Sequence, residues 1–319
     1  MMQHVLIGIG AGAASALLSV AGAFGPPPAI LLAVFAGLPI MIVAIGWSHF
    51  AALVAVAATF AGLFAMLNFT VAAMLTLTVG VPAWFLGYLA LLARPGSAPG
   101  TLEWYPVGHL VLWAALVGAA TVVLALASYG LDKETMFASL RENIAAAIRI
   151  RPSGAAETPD DADVSRAVDI LASLMPYAAA LTATLVNLLN LWLAGLIVRI
   201  SGRLRRPWPD IAAMRFPRYA LTLAFIAVAL AFLPGIGGVF ARIFAVVLIV
   251  AFGMLGLAIL HTVTRGARIR GAILATTYGA VLVLGWPILI ASVAGMADTV
   301  FDLRARFAAR RGTPPAPHP

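Results

Sequence analysis

The chain has 319 residues, of which 63% are hydrophobic and 10% charged, with a mean hydropathy of +1.03. Because soluble domains carry about 25% charged residues, this composition excludes a soluble enzyme and predicts a membrane protein. The net charge of +8 comes almost entirely from arginine, and in so apolar a chain it is expected to set membrane topology rather than to bind nucleic acid. The chain has no cysteine, which excludes disulfides and thiolate metal sites.

Apolar stretches long enough to cross a bilayer as helices, about 20 residues each, recur along the chain. The stretch 219–234 is short for a span, and Gly285-Trp286-Pro287 can break the last one. The sequence therefore predicts an all-α polytopic transmembrane bundle of eight or nine spans. The candidate spans lie at about 5–24, 28–46, 50–67, 70–93, 105–128, 171–198, 219–234, 238–261 and 269–296.

The first span has no Lys or Arg in front of it, which favours a retained helix over a signal peptide. Gly8, Gly12 and Ala16 follow one another at four-residue spacing on it. Such a stripe of small residues lets another helix approach closely. The stripe either packs inside the bundle or forms an interface with a partner subunit.

The distribution of arginine predicts the orientation, because basic residues near helix ends stay in the cytoplasm. The loop 201–218 contains Arg203, Arg205 and Arg206 and a single acidic residue, so it is predicted to be cytoplasmic. If nine spans alternate, the N-terminus lies on the same side. The basic residues of the polar tail, 297–319, would then lie outside, so either one span is miscounted or the tail is an exception.

The long loop 129–170 is acidic and faces outward in this topology. Met136, Leu140, Ile144 and Ile148 recur in it every four residues, a spacing that puts them on one side of a helix. The pattern predicts an interfacial helix at the membrane surface. This helix either covers the edge of the bundle or forms a lid over a ligand entrance.

Polar side chains inside the membrane concentrate on the sixth span. Asn187 and Asn190 are three residues apart, and Thr184 lies near the same helical face. An amide at this depth needs a hydrogen-bond partner, so the face is predicted to point into the bundle. The two amides either hold helices together or, with Thr184 and the interior Trp84, bind a ligand.

All twelve acidic residues lie in loops or at the ends of spans. An ion-coupled carrier usually needs an ionisable group deep in the membrane, so a self-powered transporter is disfavoured unless Asp298 or His261 lies deeper than hydropathy indicates. The chain also lacks a GxxxxGK[ST] phosphate loop, an HExxH zinc motif and a convincing nucleophile with its base. No catalytic residue, metal or cofactor is therefore predicted.

Five stretches in order along the chain resemble the YybS-like family of bacterial membrane proteins. That family is in turn distantly similar to the S-components of energy-coupling-factor vitamin transporters, six-helix proteins that bind a small ligand and dock on a membrane subunit driven by ATPases. The resemblance implies a six-helix bundle over 1–200, further helices over 219–296, and docking through the stripe on the first helix. The stretches are AGLPIMIVAIGW (36–47), VGVPAWFLGYLALLAR (79–94), RPWPDIAAMRFP (206–217), GLAILHTVTRG (256–266) and GMADTVFDLRARF (295–307).

The sequence thus predicts a protein of the bacterial inner membrane that is not an enzyme. It would bind or help to transport a small molecule without an energy source of its own. Its partners would be the lipid bilayer and a membrane coupling subunit or another envelope protein. The alternative is a membrane scaffold or envelope assembly factor, whose arginine loop and interfacial helix bind proteins or anionic headgroups.

Overall fold

Helices make up nearly all of the computed structural model, which describes residues 1–24, 29–149 and 161–310. The predicted class, a helical protein with several apolar helices, is confirmed, and a single short hairpin of two strands accompanies the described helices. In chain order the elements are α1 (Met2–Phe24), α2 (Ile30–Val34), α3 (Leu38–Gly46), α4 (His49–Met66), α5 (Phe69–Leu75), a π-helix (Thr76–Gly80), α6 (Val81–Ala90), β1 (Ala93–Pro95), β2 (Leu102–Trp104), α7 (Val107–Ala127), α8 (Lys133–Arg149), α9 (Asp161–Ile200), a 3-10 turn (Ile211–Ala213), α10 (Arg218–Leu230), α11 (Gly235–Val263), α12 (Arg270–Leu284), α13 (Pro287–Phe301) and α14 (Leu303–Arg310).

In the described part of the chain, six helical segments are long and apolar enough to cross a membrane. Four shorter apolar segments accompany them, so the predicted count of eight or nine spans is not confirmed. The long segments are Met2–Gly22, His49–Met66, Phe69–Ala90, Val107–Ala127, Ala162–Ile200 and Gly235–Val263. The short ones are Ile30–Gly46, Arg218–Leu230, Arg270–Leu284 and Pro287–Phe301.

The N-termini of α1 and α4 lie at one end of the bundle. Nδ1 of His4 is 3.5 Å from Oγ of Ser48, the residue that caps the N-terminus of α4. The loop 201–217 lies at the same end, because Arg205 donates to the carbonyl oxygen of Trp47 at 3.5 Å. The start of the chain and the arginine-rich loop are therefore neighbours.

The C-terminal helices return to this end. Thr262, in the last turn of α11, and Arg304, in α14, both donate to the carbonyl oxygen of Ala212 in the loop 201–217, at 2.9 and 3.1 Å. We call this end of the molecule the basic end. Its arginines include Arg94, Arg199, Arg203, Arg205, Arg206, Arg215, Arg218, Arg265 and Arg304.

The last predicted span, 269–296, forms two helices, α12 and α13. Gly285 has a left-handed φ of +72°, and Pro287 begins α13, so the chain breaks where the sequence allows it. Each helix has 15 residues, about 22 Å at 1.5 Å per residue, which is less than the ~30 Å hydrocarbon core. Because of the additional helix, Arg304 lies at the basic end, on the same side of the bundle as the loop 201–217.

A helix, α8, forms where the four-residue spacing predicts one. The carboxylate of Asp132 accepts a hydrogen bond from the backbone N–H of Thr135 at 3.1 Å, which caps the helix N-terminus. Met136 is completely buried and belongs to one apolar cluster with Val168 and Ala172 of α9. The apolar side of α8 therefore packs on α9, which agrees with the alternative in which this helix covers the edge of the bundle.

The apolar core runs through both halves of the chain. Buried residues of α7, α9 and α11 belong to a single cluster. The predicted six-helix part, 1–200, and the C-terminal helices, 219–296, consequently share a core. Residues 150–160 of the outer loop and 311–319 of the polar tail lie outside the described residues.

Candidate ligand cavity

Asn190 is buried, with 2% of its surface exposed. Its Nδ2 donates to the carbonyl oxygen of Val34 at 2.7 Å. Val34 is the last residue of α2, where the carbonyl oxygens lose their partners within the helix. Nearby, Oγ of Ser15 donates to the carbonyl oxygen of Ala36 at 2.7 Å. Asn190 and Ser15 thus stabilise the break between α2 and α3, a structural role that the sequence left open.

The other three predicted ligand residues are not gathered around a common space. Asn187 is half-buried and makes no side-chain hydrogen bond to the residues that the structure describes. Thr184 donates to the carbonyl oxygen of Ala180 at 2.8 Å and packs directly on the backbone of Gly118 in α7. Trp84 stacks on Tyr88, one turn further along α6, with 6.2 Å between the ring centroids.

A cavity lies on another side of α9. It has a volume of 410 Å³, is open on one side, and is bordered mainly by α7, α9, α11 and the loop that follows α9. Its lining includes Leu185, Leu189, Trp192, Gly195, Arg206 and Trp208. At about 100° per residue, Asn190 lies about 160° around the helix from Trp192. None of the four predicted ligand residues lines the cavity.

Arg206 lies in the cavity wall and also ties helix ends together. Its Nη1 donates to the carbonyl oxygen of Ala90 at 2.9 Å, and its Nη2 to that of Tyr105 at 3.2 Å. Ala90 ends α6, where carbonyl oxygens lack partners and a positive charge is favourable. Burial lowers the pKa of Arg206 from its ordinary value, but a guanidinium remains charged in proteins.

The positive charge of Arg206 has no counter-ion within the described structure. Its Nε is buried and has no hydrogen-bond partner there. The ion pairs among the described residues do not include it. A cation is therefore held at the edge of an apolar space. The sequence identified Arg206 as a topogenic charge and contained no periodic signal that the loop would fold back over α7 and α9.

The neighbouring arginines are packed against tryptophan rings. The guanidinium of Arg203 lies 4.6 Å from the ring centre of Trp47, the residue whose carbonyl accepts from Arg205. Arg199 lies 5.0 Å from the ring centre of Trp208. These cation–π contacts hold the loop 201–217 on the bundle as a fixed part of the cavity.

The small-residue stripe of α1 faces α4. A Cβ atom added at Gly12 would clash with the carbonyl oxygen of Ala55. Ala16 is 2% exposed and lies against Gly62, and Gly8 packs on α4 in the same way. The stripe is therefore covered within the chain and is not free to hold a partner subunit.

A second polar cluster, the C-terminal clasp, joins the ends of α11 and α13 to the loop 201–217. Among the acids that the structure describes, only Asp298 is buried. The clasp consists of three ion pairs: Asp298 with Arg304 at 2.7 Å, Asp302 with Arg215 at 2.9 Å and Asp210 with Arg265 at 2.7 Å. Three of the five stretches on which the sequence resemblance rests meet here, namely 206–217, 256–266 and 295–307.

The buried Asp298 lies deeper than the sequence indicated but at the basic end, in the last turn of α13. His261, the other candidate for a deep ionisable group, lies in the last turn of α11 and contacts the hydroxyl of Tyr278 at 2.9 Å. Within the described ranges, no three potential ligand side chains of His, Asp or Glu come together to hold a metal ion.

Comparison with known proteins gives one family. No curated protein and no solved structure matches the chain. The family described as "Predicted membrane protein (DUF2232)" matches residues 13–299, which is most of the chain and includes the cavity and the clasp as far as Asp298. The match does not test the similarity to S-components. The chain belongs to this family of membrane proteins.

Proposed function

We propose that the protein is a membrane-embedded binding or permease subunit whose ligand is a small apolar or amphiphilic molecule. The observation that carries the proposal is the 410 Å³ cavity beside α9, which is lined by apolar and aromatic side chains with Arg206 as its charged residue. Ligand sites typically enclose about 300–1,000 Å³ and combine an apolar lining with few polar groups. The cavity has both properties.

The rim of the cavity favours entry from the bilayer. Leu185, Leu189 and Trp192 line it and are 51%, 40% and 45% exposed. On a membrane-spanning helix such side chains contact lipid tails, since lipid takes the place of water there. A ligand reaching the cavity along this rim would come from the membrane.

The state of the buried carboxylate supports an external energy source. Oδ2 of Asp298 accepts from Nε of Arg304 at 3.0 Å, and its Oδ1 from the backbone N–H of the same residue at 3.1 Å. Both carboxylate oxygens are thus engaged by Arg304 at the end of α13, a structural role that leaves no free group for a coupling ion. Transport through this protein would therefore be powered by a partner, as the distant similarity to S-components implies.

The proposal is tested with the full chain, purified in detergent and saturated with a bacterial polar lipid extract. Native mass spectrometry counts the amphiphiles that remain bound. We expect one molecule on the wild-type protein and at least a tenfold loss in Gly195→Leu, because the new side chain would enter the cavity beside Trp208. Gly10→Leu is the matched control, since Gly10 has open space around it.

Equal retention by the wild type and both variants would contradict the cavity as a binding site. It would favour the alternative of an envelope scaffold, which needs no internal cavity. A scaffold would depend on the exposed arginines of the basic end, such as Arg203 and Arg205. Neutralising both would then release a protein partner while leaving amphiphile binding unchanged.

A further inference from the structure

We infer that the ligand is an anionic membrane lipid from the leaflet at the basic end, with its acyl chain in the cavity and its phosphate held by Arg206. The inference rests on the proposed function and names the class of molecule that the cavity selects. It assigns to Arg206 the choice of headgroup and to the apolar wall of α9 the binding of the chain.

The charge of Arg206 is unbalanced within the described structure. A guanidinium has five N–H donors, and two nitrogen atoms of this one already donate to Ala90 and Tyr105. A partly buried cation without a counter-ion is energetically costly. A phosphate in the cavity would supply the missing negative charge, and arginine is well suited to bind phosphate oxygens.

The shape of the site matches that of a lipid. Its wall on α9 extends from Leu185 to Gly195, about 15 Å at 1.5 Å per residue. Arg206 belongs to the loop after Ile200, where α9 ends, so the charge lies at the basic end and the apolar wall extends into the membrane. A lipid has the same order of parts, with a charged headgroup at the surface and a chain beneath it.

The surroundings of the cavity are positively charged at the basic end. Arg199 is held over the ring of Trp208, which lines the cavity, and Arg203 and Arg205 belong to the same loop. Clusters of arginine at a membrane surface attract anionic lipids. A zwitterionic headgroup gains little from this field, and a free phosphate ion would leave the apolar part of the cavity empty.

The test compares phosphatidylglycerol with phosphatidylcholine of identical acyl chains, bound to the purified full chain and counted by native mass spectrometry. We expect the wild type to prefer phosphatidylglycerol by about tenfold, which corresponds to one charge-assisted contact. Arg206→Gln should lose most of this preference, because it keeps a donor for the helix ends but loses the charge. Arg206→Lys should keep the preference, and so should the control Arg166→Gln, whose exposed residue lies near the start of α9, far from the basic end.

The outcomes separate this inference from the proposed function. An equal affinity of the wild type for both lipids, or an undiminished preference in Arg206→Gln, would overturn the inference that the ligand is an anionic lipid. The proposal that the cavity binds a ligand would still stand. Displacement of the lipid by millimolar inorganic phosphate would identify a free-anion site and also overturn it. If Gly195→Leu has no effect on lipid binding, the cavity is not the binding site. Thermal unfolding identifies any misfolded variant. If Arg206→Gln does not fold, Arg206→Lys is the deciding variant: a folded Arg206→Lys protein without a preference for phosphatidylglycerol would overturn the role of the charge.

Discussion

Arg304 forms an ion pair with Asp298 in which the side chains are 6% and 3% exposed, with Nη2 and Oδ2 2.7 Å apart. The same guanidinium donates through Nη1 to the carbonyl oxygen of Ala212. One arginine therefore fixes the corner between α13 and α14 and fastens it to the loop 201–217. Through this loop, the end of the chain is connected to the wall of the cavity.

Breaking the Asp298 ion pair should strongly destabilise the protein. Asp298→Asn leaves the buried guanidinium of Arg304 without a counter-ion, and we expect the free energy of unfolding to fall by about 3–5 kcal/mol. The measurement is denaturant unfolding in detergent, followed by tryptophan fluorescence. The exposed Arg306, changed to Gln, is the control and should cost less than about 0.5 kcal/mol.

Replacing both partners tests the cause of that loss. The double variant Asp298→Leu with Arg304→Met should recover most of the stability, because apolar replacement of a buried pair is often neutral or favourable. If the double variant were as unstable as Asp298→Asn, the hydrogen bond to Ala212 rather than the charge pair would account for the effect.

Acid should loosen the two exposed pairs of the clasp. Hydrogen bonds from Arg215 and Arg265 lower the pKa of the Asp302 and Asp210 carboxyls below their ordinary value of 3.8. A carboxyl whose pKa is lower in the folded than in the unfolded state stabilises the fold at pH values above the unfolded pKa. This contribution is lost as the pH falls through the folded pKa. The stability should thus decline below about pH 4, by less than about 1 kcal/mol for each pair because both are half exposed.

The acid effect is measured as the unfolding free energy between pH 7 and pH 3. Asp302→Asn should show a flatter profile below pH 4, since its side chain no longer titrates. An identical profile for this variant and for the wild type would show that Asp302 does not contribute.

The composition was sufficient to predict a helical membrane protein, because a spanning helix requires a long run of apolar residues. The need of Asn190 for a partner could also be predicted from its depth. The identity of that partner could not be predicted, because the acceptor is the main-chain carbonyl of Val34 and every residue of the chain has such a carbonyl. Whether the asparagines hold helices together or bind a ligand therefore depends on tertiary contacts that leave no pattern in the sequence.

The cavity could not be predicted from the sequence for a related reason. Arg206 and Trp208 form part of its wall, which they reach only because the loop after α9 folds back across α7. Such long-range contacts have no periodicity. In the sequence, the arginines of this loop were informative about topology alone.

The two asparagines of α9 should differ in their importance. Asn190→Ala leaves the carbonyl oxygen of Val34 without its donor, and we expect a loss of about 1 kcal/mol in stability. Asn187→Ala should have little effect, since Asn187 lacks a hydrogen bond within the described structure. Neither variant should change lipid retention, measured by native mass spectrometry. Reduced retention in a stable Asn187→Ala protein would instead support the face predicted from the sequence.

The contact between α1 and α4 should not tolerate a larger side chain. Gly12→Leu would place atoms into the backbone of α4 at Ala55, and overpacking of this kind costs about 1–3 kcal/mol or more. Gly10→Leu, on the open side of α1, should leave the melting temperature unchanged. Similar melting temperatures for both variants would show that α1 does not pack on α4 through this stripe.

The position of the basic end can be measured with single cysteines, because the chain has none of its own. We expect Ser97→Cys, in the turn of the hairpin, and Arg306→Cys, in α14, to react with a membrane-impermeant maleimide only after cells are permeabilised. Both residues are exposed at the basic end, which the arginines predict to be cytoplasmic. Leu131→Cys, 74% exposed in the connection before α8, should react in intact cells.

The pattern of labelling distinguishes an error of orientation from an error of topology. Reaction of Ser97→Cys and Arg306→Cys in intact cells, with Leu131→Cys protected, would invert the molecule but keep both residues on one side. Reaction of Ser97→Cys on one side and Arg306→Cys on the other would contradict the return of α13 to the basic end. In that case Arg304 could not reach the carbonyl oxygen of Ala212, and the clasp would not form.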